Sequence, residues 1–412
     1  MFKLWFSIPF WQRVLGAFVV GALMGAFFPE VGQALKPLGD LFIRAIKMLV
    51  APLIFCAIVS AITDLNDGQK LGRLGAKTIG MFMLTAVIAS AIGLTLGTLI
   101  DMSPAQALTA TDASEKVIPS VSQVLLNFVP TNPFAALSEG NVLQIVVFAA
   151  IIGIAIQKLG EPAQPLRRVI KSGAEVMYQV TRMVLQLTPI GVLGLMAWVI
   201  GEYGIGSLLP LAKFVGVIYL AVLIHIVVVY GSFVRTLGGM SPWQFFRDVF
   251  DAQVVAFTTC SSFGSLPAAH RAVTERLGVS KDYASFVLPL GATINMDGCG
   301  GIYPAVASIF IANLYGIPLD WMDYGLIMMT ATLASVGTAG VPGTALVMLT
   351  VTLNAVGLPL EGIAFIAAID RIIDMARTLT NVTGDMMVAR VVARSENLLQ
   401  DNSPSEAVRE SA

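Results

Sequence analysis

Charge is scarce in this chain. Asp, Glu, Lys and Arg together make up 12% of the 412 residues, and the formal net charge is −1. With no basic run, the balance argues against nucleic acid as a partner. Histidine occurs only at His225 and His270, which excludes a histidine-rich metal site. The three cysteines, Cys56, Cys260 and Cys299, show neither metal-ligand nor disulfide spacing. What is abundant is apolar: 56% of residues are hydrophobic and the mean hydropathy is +0.80. That is the composition of a polytopic protein of the lipid bilayer, not of a soluble domain with a large core.

Apolar segments long enough to span run over 14–28, 40–63, 76–100, 142–157, 174–200 and 208–235. Gln12 and Arg13 interrupt the start and no small-residue cleavage site follows, so the first segment reads as a membrane helix rather than a signal peptide. The pattern then changes. Segments 243–275 and 321–356 are apolar but broken by Ser, Gly and Pro, and each precedes a long helix with polar residues at mid-depth, over 283–312 and 359–393. Paired broken segments of this kind point to an inverted-repeat transporter with a midplane site. Their centres, Ser261 to Pro267 and Val336 to Gly343, are expected to break a helix outright. Such backbone survives at membrane depth only against a cavity or packed protein, so both read as re-entrant hairpins whose tips meet.

Loop charges give the orientation. Lys70, Arg73, Lys77, Arg167, Arg168, Lys171, Arg235, Arg247, Arg271, Arg276, Lys281, Arg390 and Arg394 fall on one side. The other side carries mostly acids, among them Glu30, Asp101, Asp112, Glu115, Glu202, Asp320 and Asp323. The positive-inside rule then places both termini of this multi-pass protein in the cytoplasm. The polar tail 396–412 is expected to be disordered.

Two stretches carry the chemistry. In 370–385, Asp370, Asp374, Arg377, Asn381 and Asp385 fall within an arc of roughly 80° at the 100° helical step. Ile372, Ile373, Ala376, Leu379 and Val382 occupy the other side. Charges in hydrocarbon cost at least a few kcal/mol each, so this face must line a protein interior or a water-filled cavity. An ion-pair network that glues helices would explain the charges; Arg377 beside two carboxylates and an amide favours a binding site. The second stretch, Gly291 to Gly301, sets three glycines within four residues, Gly298, Gly300 and Gly301, beside Asn295 and Asp297. Unwinding there frees carbonyls that, with a carboxylate, suit a hard cation such as sodium. A kinked helix with a buried, hydroxyl-satisfied Asp297 is the plainer alternative.

Four motifs in order resemble one family. They are Ser261-Ser262-Phe263-Gly264-Ser265-Leu266-Pro267, Asn295-Met296-Asp297-Gly298, Gly337 to Gly343, and Asp374 to Asp385. The chain resembles the glutamate transporter homologues, the dicarboxylate/amino acid:cation symporters of the sodium-coupled bacterial and archaeal type, over essentially its whole length. The resemblance implies an all-α fold of eight transmembrane helices and two re-entrant hairpins, built as inverted repeats. It implies a homotrimer in the cell inner membrane, working as an elevator. Residues 1–75 and 101–205 would form the scaffold, and 76–100 with 206–395 the moving transport domain.

The same resemblance assigns roles. Arg377 would bind the substrate's side-chain carboxylate, as a planar bidentate donor can, and Asp374 its ammonium. Asn381, Thr378 and the backbone around Ser261, Ser262 and Gly340 would hold the α-carboxylate and close the pocket. Cys299 stands where the family has a substrate-contacting threonine, with one residue inserted before Tyr303, and Ala345 where glycine is common. One sodium site would use Gly291, Asn295, Asn381 and Asp385; a second Thr293, Ser335, Val336 and Thr338; a third Thr85, Asn295 and Asp297. Asp370 would orient this face. No cofactor is implied beyond co-transported sodium.

The expectation is therefore sodium-coupled uptake of an acidic amino acid, glutamate or aspartate. A neutral amino acid, a C4-dicarboxylate or proton coupling on the same fold is the alternative. An enzyme is disfavoured because neither histidine is placed to activate Ser262 or Cys260. A dedicated channel is disfavoured by the two hairpin gates.

Overall fold

The computed structural model describes residues 10–63, 69–104, 129–204, 206, 208–336, 338, 340, 343–367 and 369–400. Among them the chain is helical, and the one β-type pairing is an isolated antiparallel bridge between Val279 and Leu399. The expected stretch Gly337 to Gly343 and the loop bearing Asp112 and Glu115 lie partly or wholly outside the described residues.

The first part of the chain forms α1 (Phe10–Phe27), α2 (Pro29–Ala34), α3 (Lys36–Thr63), α4 (Gln69–Leu99), α5 (Pro133–Glu139), α6 (Val142–Leu159), α7 (Gln164–Leu185) and α8 (Thr188–Tyr203). Here α8 packs on α1, α2 and α3, while α3 also packs on α6 and α7. Glycines set the closeness of the α1–α8 contact: a Cβ at Gly21 would lie 2.6 Å from the Leu193 carbonyl oxygen, so the helices touch backbone to backbone. This small-residue contact is how helices associate where lipid supplies no hydrophobic drive. The segment 174–200, expected as one span, is two helices. Gln186 and Leu187 turn between them, and Pro189 starts the second near its N-terminus, where a missing N–H costs nothing.

The second part begins with α9 (Leu208–Ile224), a π-helical turn at His225–Tyr230, and α10 (Gly231–Thr236). There follow α11 (Pro242–Thr259), α12 (Ser262–Arg271), α13 (Lys281–Ile294), α14 (Tyr303–Tyr315), α15 (Trp321–Val336), α16 (Thr344–Ala355), α17 (Ile363–Ala367) and α18 (Asp370–Ser395). At its centre α18 packs on α11, α13 and α4. Among the described residues, three continuous helical stretches, Arg73–Leu99, Leu208–Thr236 and Lys281–Tyr315, are long and apolar enough to cross a membrane on those grounds alone. The segment 359–393 is shorter than expected as a helix, since the regular part starts only at Asp370.

Two breaks sit elsewhere than the sequence suggests. In 243–275 the helix is interrupted only at Cys260, which adopts φ 55°, and Ser261. Ser261 then caps α12, its Oγ accepting from the Gly264 N–H at 3.0 Å, so Ser262 to Pro267 is helical rather than broken. In 283–312 the chain unwinds at Asn295 and Met296, while Gly298, Gly300 and Gly301 lie in a π-helical turn, Asp297–Ile302. The Gly301 N–H donates to the Met296 carbonyl at 3.2 Å, five residues back. A π-turn is how a helix accommodates one extra residue without losing its axis.

The tail is not free from its start, as 396–412 was expected to be. Glu396 pairs with Arg73 at 2.5 Å and with Lys77, and the Gln400 N–H donates to the Gly278 carbonyl at 2.7 Å. Residues 401–412 lie outside the described part.

Candidate functional site

The polar face of α18 is buried as its spacing requires. Asp370, Asp374, Thr378, Asn381 and Asp385 are buried and Arg377 is 0% exposed. Arg377 Nη2 donates to Asp370 Oδ1 at 2.8 Å and lies 3.0 Å from Asp374 Oδ1. The guanidinium carbon sits 4.1 Å from the centroid of the Tyr303 ring. Its Nε and Nη1 have no partner among the described residues. An arginine with five donors, fully desolvated, and with two of its three nitrogens unused is a receptor for an anionic group. Asp370 and Asp374 outweigh Arg377 by one negative charge, so the cluster as a whole also favours a cationic group.

The next turn of α18 faces the unwound point between α13 and α14. Asn381 Oδ1 accepts from the Gly298 N–H at 2.8 Å, and its Nδ2 lies 3.0 Å from Met296 Sδ and 3.2 Å from Cys299 Sγ. Asn295 Nδ2 donates to Asp385 Oδ1 at 2.9 Å. Asp297 Oδ2 accepts from Tyr230 at 2.7 Å and from His225 Nε2 at 3.1 Å. Asn295 Oδ1 and Asp297 Oδ1, both in fully buried residues, have no partner among the described residues. Orphaned acceptor oxygens beside carboxylates in a dry interior form the donor set a hard cation takes. Two glycines make this approach possible: a side chain at Gly291 would collide with Asp385, and one at Gly298 with the Arg377 backbone.

The hairpin tips meet over this cluster. Ser261 Oγ donates to the Gly340 carbonyl at 3.1 Å and the Phe263 N–H donates to the same oxygen at 3.2 Å. A Cβ on Gly340 would come within 2.6 Å of the Ala292 carbonyl oxygen and 2.9 Å of Ser262 Cβ. Ser335 Oγ donates to the Ile294 carbonyl at 2.9 Å, tying the end of α15 to the unwound point.

Thr85 Oγ1 and Thr293 Oγ1 each bond within their own helices, to the carbonyls of Phe82 and Leu290. Thr338 Oγ1, beyond the end of α15, donates back to the Ala334 carbonyl at 2.8 Å, and Ala345 is buried in the first turn of α16. Val336 ends α15 and, with Thr293 and Phe263, lines a cavity of about 480 Å³ that α3 and α7 close from the other side. Four participants escape a reading of the sequence: His225, Tyr230, Tyr303 and Met296. The signal for the first two was a polar pair inside an otherwise apolar span, which at membrane depth marks function.

The family model described as the sodium:dicarboxylate symporter family matches residues 10–395. A proton/glutamate-aspartate symporter of Escherichia coli (strain K12) is 38% identical over 410 residues, covering 94% of this chain and 92% of the relative. A proton/sodium-glutamate symport protein of Geobacillus stearothermophilus is 36% identical over 402 residues, covering 94% of each. A C4-dicarboxylate transport protein of Serratia proteamaculans (strain 568) is 35% identical over 392 residues, covering 93% of this chain and 91% of the relative. The chain is thus a membrane transporter and not an enzyme, and it belongs to the sodium:dicarboxylate symporter family.

Proposed function

We propose that this protein couples sodium entry to the uptake of an acidic amino acid, glutamate or aspartate. The observation that carries the reading is Arg377, buried with Nε and Nη1 unpartnered and flanked by Asp374 and Asp370. A substrate with a carboxylate for the guanidinium and an ammonium for Asp374 satisfies both signs at once. Ser261, Ser262, Gly340, Thr378 and Asn381 would enclose its α-carboxylate, and Cys299 and Ala345 would shape the wall around its side chain.

The cation reading rests on the orphaned oxygens of Asn295 and Asp297 and on Asp385. Sodium would bind at Gly291, Asn295, Asn381 and Asp385, at Thr293, Ser335, Val336 and Thr338, and at Thr85, Asn295 and Asp297. Coupling would arise because Asn381, Thr338 and the Asn295–Asp297 turn would belong to the cation and substrate shells together, each ligand raising the affinity for the other, which is the coupling free energy that symport requires. The assembly would be a homotrimer in the cell inner membrane with cytoplasmic termini, its transport domain moving as an elevator.

Relatives named for C4-dicarboxylate transport are as similar as those named for glutamate, and relatives named for proton symport support proton coupling. A dicarboxylate without an ammonium would set its second anion against Asp374. An exchange assay separates the readings. Vesicles loaded with unlabelled L-glutamate should take up labelled L-aspartate, with succinate and L-serine exchanging poorly. Fast succinate exchange without aspartate exchange would overturn the amino-acid reading.

A further inference from the structure

Two buried side chains on the first long helix of the second half contact the proposed cation machinery without belonging to any assigned site. The His225–Tyr230 stretch is a π-turn between α9 and α10. In an α-helix residues five apart point about 140° away from each other, whereas the i→i+5 repeat of a π-turn stacks them on one face. His225 and Tyr230 are five apart, and their rings pack edge to face with centroids 4.6 Å apart. Both reach the same atom, Asp297 Oδ2. The π-turn is therefore what lets two donors from one helix converge on one carboxylate oxygen.

The neighbouring helix makes room for this. A Cβ on Gly384 of α18 would lie 2.6 Å from the Tyr230 hydroxyl and 2.9 Å from Asn295 Nδ2. A carboxylate only accepts, so His225 Nε2 carries the proton toward it, and His225 Nδ1 is buried with no partner among the described residues. With Oδ2 saturated by two donors, Asp297 is left with Oδ1, which is unpartnered, as is Asn295 Oδ1 two residues before it.

We infer that His225 and Tyr230 are positioning residues that make Asp297 a one-oxygen ligand for the coupling cation. This rests on the reading of the Asn295–Asp297 turn as a sodium site. Their donors fix the rotation of the carboxylate before the ion arrives, so the ion meets a preorganised oxygen and not a group that must turn or shed another partner. The role is confined to the cation: neither side chain bonds to Arg377, Asp374 or Asp370.

The test is a sodium titration of the melting temperature of purified, full-length protein, which reads cation binding without transport. Tyr230→Phe keeps the ring and removes one donor, and it should raise the half-saturating sodium concentration about tenfold, the size of one hydrogen bond to a charged group. His225→Gln, which retains an N–H, should be milder than His225→Leu. In an Asp297→Asn background Tyr230→Phe should add little, because the two substitutions remove the same oriented oxygen. In proteoliposomes, Tyr230→Phe should shift sodium half-saturation more than the maximal rate. If Asp297→Asn weakens sodium binding while Tyr230→Phe and both His225 variants leave it unchanged, the positioning role is overturned and the site stands. If Asp297→Asn itself leaves sodium binding unchanged, the sodium reading of this turn is overturned, and the inference with it.

Discussion

The Arg377 guanidinium carbon lies 4.1 Å from the Tyr303 ring centroid, with Asp370 and Asp374 on Nη2 and with Nε and Nη1 unpartnered among the described residues. The ring flanks the ion, the two acids hold one nitrogen, and the remaining donors have no partner among the described residues. A desolvated cation held this way is costly as structure alone, because a buried pair seldom repays the loss of hydration.

Replacing Arg377 therefore affects transport and stability differently, according to what is left. Arg377→Ala should abolish uptake of acidic substrates. It strands Asp370 and Asp374 in the interior, with a cost to stability of about 3–5 kcal/mol. Arg377→Lys keeps the charge but loses the planar fork. It should retain most of the melting temperature while labelled glutamate uptake stays at background. Wild-type uptake by either variant would contradict the binding role.

Asp385→Asn should act on the cation. Its Oδ1 accepts from Asn295, and replacing the carboxylate with an amide removes an anionic ligand while keeping the shape. The half-saturating sodium concentration should rise by about tenfold, the scale of one charge-assisted contact. Uptake measured across a sodium series checks this, and an unchanged sodium dependence would count against it.

The two hairpin tips should part when Gly340 gains a side chain. Gly340→Ala places a methyl group against the Ala292 carbonyl and Ser262, so the Ser261–Gly340 bond cannot persist as it stands. Cys260, 2% exposed at the bend of the first hairpin, then becomes accessible. The expected result is faster alkylation of Cys260, read by peptide mass spectrometry, with transport reduced. Alkylation at the wild-type rate would show that the contact does not keep the tips closed.

The clasp at the end of α18 should respond to pH and salt. Lys77 first, then Arg73, hold the Glu396 carboxyl below its usual range. A depressed folded-state pKa gives stability that is present above the ordinary carboxylate pKa and is lost as pH falls through the folded value. Both pairs are partly exposed, so salt should weaken them too. The protection of the amides of residues 396–400 against exchange, measured relative to their intrinsic rates, should fall under acid, under high salt, and in Glu396→Gln at neutral pH. Identical exchange in Glu396→Gln and wild type would remove the clasp from the account.

The α18 face was legible because five polar residues at helical spacing inside an apolar run admit few explanations. The two hairpins were legible as interruptions, but not their exact break points. Ser261 is a good breaker by composition, yet here it caps the helix that follows it, and only the Cys260–Ser261 bend interrupts the chain. The π-turn at Asp297–Ile302 was not legible, since it depends on the Met296 carbonyl accepting from Gly301. His225 and Tyr230 gave the weakest signal. Their partner lies 72 and 67 residues away in the chain, and only the packing of α9 against the unwound segment brings them together.

Uptake of labelled L-aspartate and L-glutamate into proteoliposomes, under an inward sodium gradient and separately under a proton gradient alone, tests the central claim most directly. The account predicts saturable uptake of both with sodium, little with protons alone, and none in Arg377→Lys. Uptake driven equally well by protons without sodium, or sodium-driven uptake of L-serine or succinate in place of either acid, would contradict it.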